Sequence, residues 1–131
     1  MGRYAMIRQV ICVEKYWKVI VYYNIDYNFF DRIEQDMHKI KASYDTINDI
    51  HRMLYSKKAK AVTLSSSKKH ISIILFNSHA NSLDYINSIV HEAEHVKQAM
   101  LEAYDVDDYG EPPAYTIGYL VEKMYKVFSR L

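Results

Sequence analysis

The sequence predicts an α+β fold, a small antiparallel or mixed sheet packed with helices. Three observations lead there. Segments rich in β-branched and aromatic residues alternate with segments of helical periodicity, in the order ββ-αα-ββ-αα. Half of the 131 residues are hydrophobic, enough for one domain to bury a real core. No internal repeat or low-complexity segment interrupts the chain, and its polar linkers are too short to divide it, so residues 1–131 read as a single domain.

Ile7 to Val13 and Trp17 to Ile25 are rich in Val, Ile, Tyr and Trp and read as strands, turning near Glu14 to Tyr16. Phe30, Ile33, Met37 and Ile40 recur at helical spacing within Phe29 to Lys41. Ser43 is placed to cap a second helix whose apolar stripe is Ile47, Ile50 and Leu54. Lys57 to Lys60 reads as a solvated connection. Ala61 to Leu64 and His70 to Phe76 read as two further strands, joined across Ser65-Ser66-Ser67-Lys68-Lys69. After a polar loop, Asn77 to Ser82, a long helix is expected over Leu83 to Tyr104. An acidic turn, Tyr104 to Gly110, leads to a last helix opened by Pro112-Pro113 and running towards Arg130.

The formal net charge is +1, which gives no strong electrostatic reason to expect a nucleic-acid partner. The one cysteine, Cys12, rules out an internal disulfide and a cysteine-only metal site. Its apolar surroundings suggest a buried small hydrophobe. No apolar stretch approaches the ~18 residues needed to span a bilayer. The N-terminal residues lack a signal-peptide pattern, and Met6 stands where myristoylation wants Ser or Thr. A soluble, cytoplasmic protein with no membrane partner is expected.

The chemistry concentrates in His91-Glu92-Ala93-Glu94-His95. Histidines at i and i+4 project from one helix face, where two neutral imidazoles can share one tetrahedral Zn²⁺. Glu92 is turned about 100° from His91, so it misses the metal but can reach a metal-bound water and take its proton. The apolar side of this helix is read as Ile86, Ile89, Val90, Ala93, Val96, Met100 and Ala103. His91, His95, Gln98 and Glu102 form a polar stripe opposite, and a stripe of that kind can equally face water.

On the last helix Glu111, Tyr115, Gly118 and Glu122 fall on one stripe. Gly118 costs about 1 kcal/mol in a helix interior, a cost that close approach of the His-bearing helix would explain. If the two stripes face each other, Glu111 supplies the third ligand, water the fourth, and Tyr115 a hydrogen bond to a substrate oxyanion. The alternatives stay open: Glu111 also suits a helix start electrostatically, Glu102 competes as third ligand or as acceptor for an imidazole N–H, and Tyr115 also suits packing. Glu94 is expected to be solvated.

His91-Glu92-x-x-His95 followed by Gly110-Glu111-Pro112-Pro113-Ala114-Tyr115 resembles the small gluzincin-type zinc metallopeptidase domains, compact versions of which occur in phages and mobile elements. The resemblance covers about residues 70 to 125. It implies a minimal zincin-like core in which an active-site helix is followed by a Glu-bearing helix. It further implies Zn²⁺ held by His91, His95 and Glu111, Glu92 as general base, and a peptide or protein substrate. The strand His70 to Phe76 would be the substrate-binding edge. Larger gluzincins often carry an acidic residue four positions after the ligand Glu; this chain has Tyr115 there. A catalytically weak or inactive metal-binding or interaction module is the alternative expectation.

His38, His51, His70 and His79 are read as surface, core or loop residues, with His79 placed near the possible cleft. Asp105, Asp107 and Asp108 lack the remaining ligands of a calcium loop and read as a solvated turn.

Overall fold

Ile7–Val13 (β1) and Trp17–Tyr23 (β2) pair antiparallel, with Ile7 opposite Tyr23 and Val13 opposite Trp17. Ala61–Ser66 (β3) and Ile71–Phe76 (β4) form a second antiparallel pair, with Ala61 opposite Phe76. The two pairs join through β2 and β4, which run parallel with Ile20 beside Ile73. The mixed four-stranded sheet therefore has the order β1-β2-β4-β3. This computed structural model describes residues 5–13, 16–79, 81–104 and 111–131, with the side chains of 111–115 excepted.

Among the described residues four α-helices pack on the sheet. Phe30–Lys39 (α1) follows a 3-10 turn at Tyr27–Phe29, and Tyr44–Tyr55 (α2) begins at Ser43, whose Oγ accepts from Thr46 N at 3.1 Å. A cap of this kind contributes about 1 kcal/mol. Ser82–Tyr104 (α3) is capped by Asn81, whose Oδ1 accepts from Asp84 N, and Glu111–Phe128 (α4) completes the set.

Side-chain alternation in the two central strands divides the core in two. Ile20, Tyr22, Ile73 and Leu75 pack with Ile33, Met37, Ile47, Ile50 and Leu54 of α1 and α2. Val19, Val21, Tyr23, Ile74 and Phe76 pack with Ile89, Ala93 and Val96 of α3 and with Leu120 and Met124 of α4. The result is three layers, helices on both faces of the sheet.

Several expectations need correction. β4 is not an edge strand: it lies between β2 and β3. Its near-continuous apolar run is what burial on both faces requires. The edge nearest α3 is instead β3, with Thr63, Ser65 and Ser66. Cys12 is exposed. Its neighbours Ile11 and Val13 point into the core, and the two-residue period turns Cys12 to the other face, where α1 and α2 leave it open. Val90, read as part of the apolar side of α3, is 45% exposed because the buried stripe runs instead through Tyr85, Ile89, Glu92, Ala93 and Val96. Gly118 does not admit a neighbouring helix. It is exposed, and a Cβ there would meet nothing within 4 Å.

One polar cluster is built into the α1 side. Asp36 is 3% exposed and accepts from Arg8 Nε at 3.0 Å and Arg8 Nη2 at 3.2 Å. It also accepts from the Tyr22 hydroxyl and from Lys39. Burial alone would raise the Asp36 pKa, but hydrogen bonds from Arg8 and Tyr22 hold it below the ordinary value.

Candidate metal centre

Helix α3 crosses the sheet so that residues from Tyr85 to Val96 cover β4 and β3. The i, i+4 spacing brings His91 and His95 together on its exposed side. Their Nε2 atoms lie 3.2 Å apart, with ring centroids at 4.7 Å and planes at 82°. Two nitrogens each about 2.05 Å from a tetrahedral ion are about 3.3 Å apart, so the imidazoles already have the spacing that one zinc would ask of them.

Glu92 takes a different direction. It is 4% exposed and turned towards the sheet edge, where its Oε1 accepts from Thr63 Oγ1 on β3 at 2.7 Å. Thr63 points to the α3 side because it alternates with the residues of β3 that face α2. A buried carboxylate without a donor would cost heavily, and Thr63 supplies one. The same face of the sheet carries a second polar link: Trp17 Nε1 donates to Ser72 Oγ at 2.9 Å, and Ser72 Oγ is 2.7 Å from Ser65 Oγ.

The i, i+4 spacing brings both histidines onto one face as the sequence suggests, but Glu92 turns away from them to the edge of the sheet. The sequence reading missed Thr63, whose only signal was a β-branched hydroxyl residue in a strand. Glu94, expected to be solvated, is partly buried and pairs with Lys97 Nζ at 2.8 Å, while Gln98 Nε2 also donates to it. Lys97 is itself buried, with 8% of its side chain exposed.

The side chains of Glu111 and Tyr115 lie outside the described residues, as do Asp105, Asp107, Asp108 and Gly110. The described members of their stripe, Gly118 and Glu122, are exposed, so that part of the stripe does not face α3. Helix α4 packs on the α3 side through other residues, Leu120 and Met124 among them, and its Phe128 ring lies 4.8 Å from that of Tyr85. Among the described residues no group of three His, Cys, Asp or Glu is arranged to hold a metal ion. Glu102 does not fill the gap. Eleven residues along the same helix from His91, it stands about 16 Å away along the axis. The two imidazoles have the spacing that zinc would ask of them, and the Glu111 side chain lies outside the described residues.

His79, read as a loop residue near the cleft, is anchored rather than open. Its Nδ1 is 2.6 Å from the Asn77 carbonyl oxygen and its Nε2 is 2.7 Å from Ser88 Oγ. A neutral ring satisfies both contacts with the proton on Nδ1 and Nε2 accepting from the serine. Burial lowers its pKa, opposed in part by the Asn77 carbonyl.

No family model, curated protein or solved structure matches this chain. No helix among the described residues is long and apolar enough to cross a membrane.

Proposed function

We propose that this chain is a small zinc-dependent metallopeptidase of gluzincin type, with His91, His95 and Glu111 as ligands and Glu92 as general base. The observation that carries this reading is the 3.2 Å separation of the two Nε2 atoms on the exposed side of α3. Zinc, when bound, would supply Lewis acidity and a lowered water pKa. Glu92 has one oxygen engaged by Thr63, leaving the other to take and return a proton. Tyr115 is assigned to the substrate carbonyl oxygen, and an extended peptide is the substrate. The exposed, unpaired thiol of Cys12 fits a cytoplasmic setting.

Elemental analysis of the purified protein tests the site. About one zinc per chain is expected, lost in His91→Ala and His95→Ala and weakened in Glu111→Ala. Hydrolysis of a mixed peptide library should then vanish in Glu92→Gln while zinc is retained. Absence of zinc after incubation with it would sink the proposal.

A second reading has its own observation. Glu92 is buried and tied to the sheet edge rather than open beside the histidines. A metal-binding or interaction module without efficient proteolysis fits that arrangement. Zinc binding with equal, background-level hydrolysis by wild type and Glu92→Gln would select it.

A further inference from the structure

Helix α1 turns a polar face to the β1 edge of the sheet. Arg32, Gln35, Asp36 and Lys39 fall at i, i+3, i+4 and i+7, on one side of the helix. Arg8 on β1 and its cross-strand partner Tyr22 on β2 reach Asp36 from the sheet. The two-residue period of the strands turns both of them towards α1. A cavity of about 620 Å³ opens there, and its lining includes Arg8, Tyr22, Asp31, Arg32, Asp36 and Lys39. Pockets that hold small molecules are of about this size, roughly 300–1,000 Å³.

Arg8 is held in place by the fold. Its Nε and Nη2 donate to the two oxygens of Asp36, a carboxylate that is 3% exposed. Two of the five guanidinium N–H groups are used in this way. The Arg8 side chain is nevertheless 43% exposed. The buried carboxylate thus fixes the plane of the guanidinium and leaves its outer edge open. An arginine ordered by folding gives up less rotamer freedom when a ligand arrives.

The charges narrow the chemistry of that ligand. Lys39 Nζ reaches the same carboxylate at 3.4 Å, so one buried negative charge stands against two cations. Arg32 adds a third cation to the lining, and Asp31, in the first turn of α1, opposes it. Three cations against two carboxylates leave an excess of positive charge in the cavity. A guanidinium fork beside an ammonium suits the oxygens of a phosphate group. A phosphate monoester carries nearly two negative charges at neutral pH and gains more from this field than a carboxylate does.

We propose that this cavity binds a soluble phosphate monoester, its oxygens on the open edge of Arg8, on Lys39 and on Arg32. The site lies on the α1 side of the sheet, across from α3 and its histidines, and does not depend on the zinc reading.

The test is a titration of isotope-labelled protein with phenyl phosphate at neutral pH, with phenol as uncharged control, followed by NMR of the arginine Nε–H groups. Saturable shifts are expected at Arg8, with phenol at least about tenfold weaker. Arg8→Gln should abolish binding. The double variant Arg32→Gln, Lys39→Gln leaves the Arg8–Asp36 pair in place and should weaken binding by about tenfold even if Arg8→Gln fails to fold. Arg52→Gln with Lys58→Gln removes the same charge outside the cavity and should leave the affinity within about twofold. Asp31→Asn should tighten binding by about threefold. Absence of saturable shifts at Arg8 overturns the proposal. So do equal binding of phenol, equal losses in the two double variants, weaker binding in Asp31→Asn, or binding to phosphatidate-containing vesicles with none to phenyl phosphate.

Discussion

Thr63 on the edge strand donates to Glu92 on α3 at 2.7 Å, and this is where the helix bearing the two histidines is tied to the rim of the sheet. The bond fixes the direction of a carboxylate that is 96% buried by its surroundings, given its 4% exposure. Replacing Thr63 by Val keeps the shape and removes the donor. That change should destabilise the protein by about 1–3 kcal/mol, while Thr63→Ser should cost less. Urea unfolding distinguishes them; equal stability of wild type and Thr63→Val would mean that the carboxylate finds another donor.

Zinc should raise the melting temperature if the histidine pair holds it. At a free zinc concentration about 100 times the dissociation constant, the gain is about 2.7 kcal/mol. The shift should disappear in the double variant His91→Ala, His95→Ala. A zinc-dependent shift of the same size in that variant would place the metal elsewhere.

His79 makes stability pH-dependent. Its folded pKa lies below the ordinary 6.5, so the unfolded chain binds more protons between the two values. Stability should therefore fall as pH drops below about 6.5. His79→Gln should flatten that slope in denaturation measured across pH 5 to 7. A slope unchanged by the substitution would assign it to other groups.

Asp36 has the same sign in a lower pH window. Its folded pKa is below 3.8, so its contribution is present above that value and is lost as pH falls through the folded pKa. Asp36→Asn weakens the bonds from Arg8 and should cost about 1–3 kcal/mol at neutral pH. The deficit should shrink in acid, below pH 3.8. A deficit independent of pH would show that packing, not charge, is what Asp36 contributes.

Gly118 offers a gain. It sits within α4 with open space around its Cα, so Gly118→Ala should stabilise by about 0.5–1 kcal/mol. Destabilisation would mean that α4 does approach a neighbour at this point.

The fold was largely legible because its signals are local. Ser43 caps α2 as its hydroxyl predicts, and the apolar spacing of Ile33 and Met37, and of Ile47, Ile50 and Leu54, gives the faces that pack on the sheet. β4 was recognisable as a strand but not as a central one, although its five consecutive buried residues carry the mark of two covered faces. Cys12 was misread because hydrophobic neighbours in sequence lie on the opposite face of a strand. The role of Gly118 was misread because a helical stripe says which residues share a face, not what that face meets.

By itself the sequence determined the elements, the α+β order and the convergence of His91 with His95, since an i, i+4 pair meets on any α-helix. Only the tertiary structure decided that β2 and β4 run parallel, that Thr63 holds Glu92, and that Asn24 accepts from the Tyr85 hydroxyl. Those relationships join residues 29 to 61 positions apart. They depend on strand order and on which helix covers which face, and no local period encodes either.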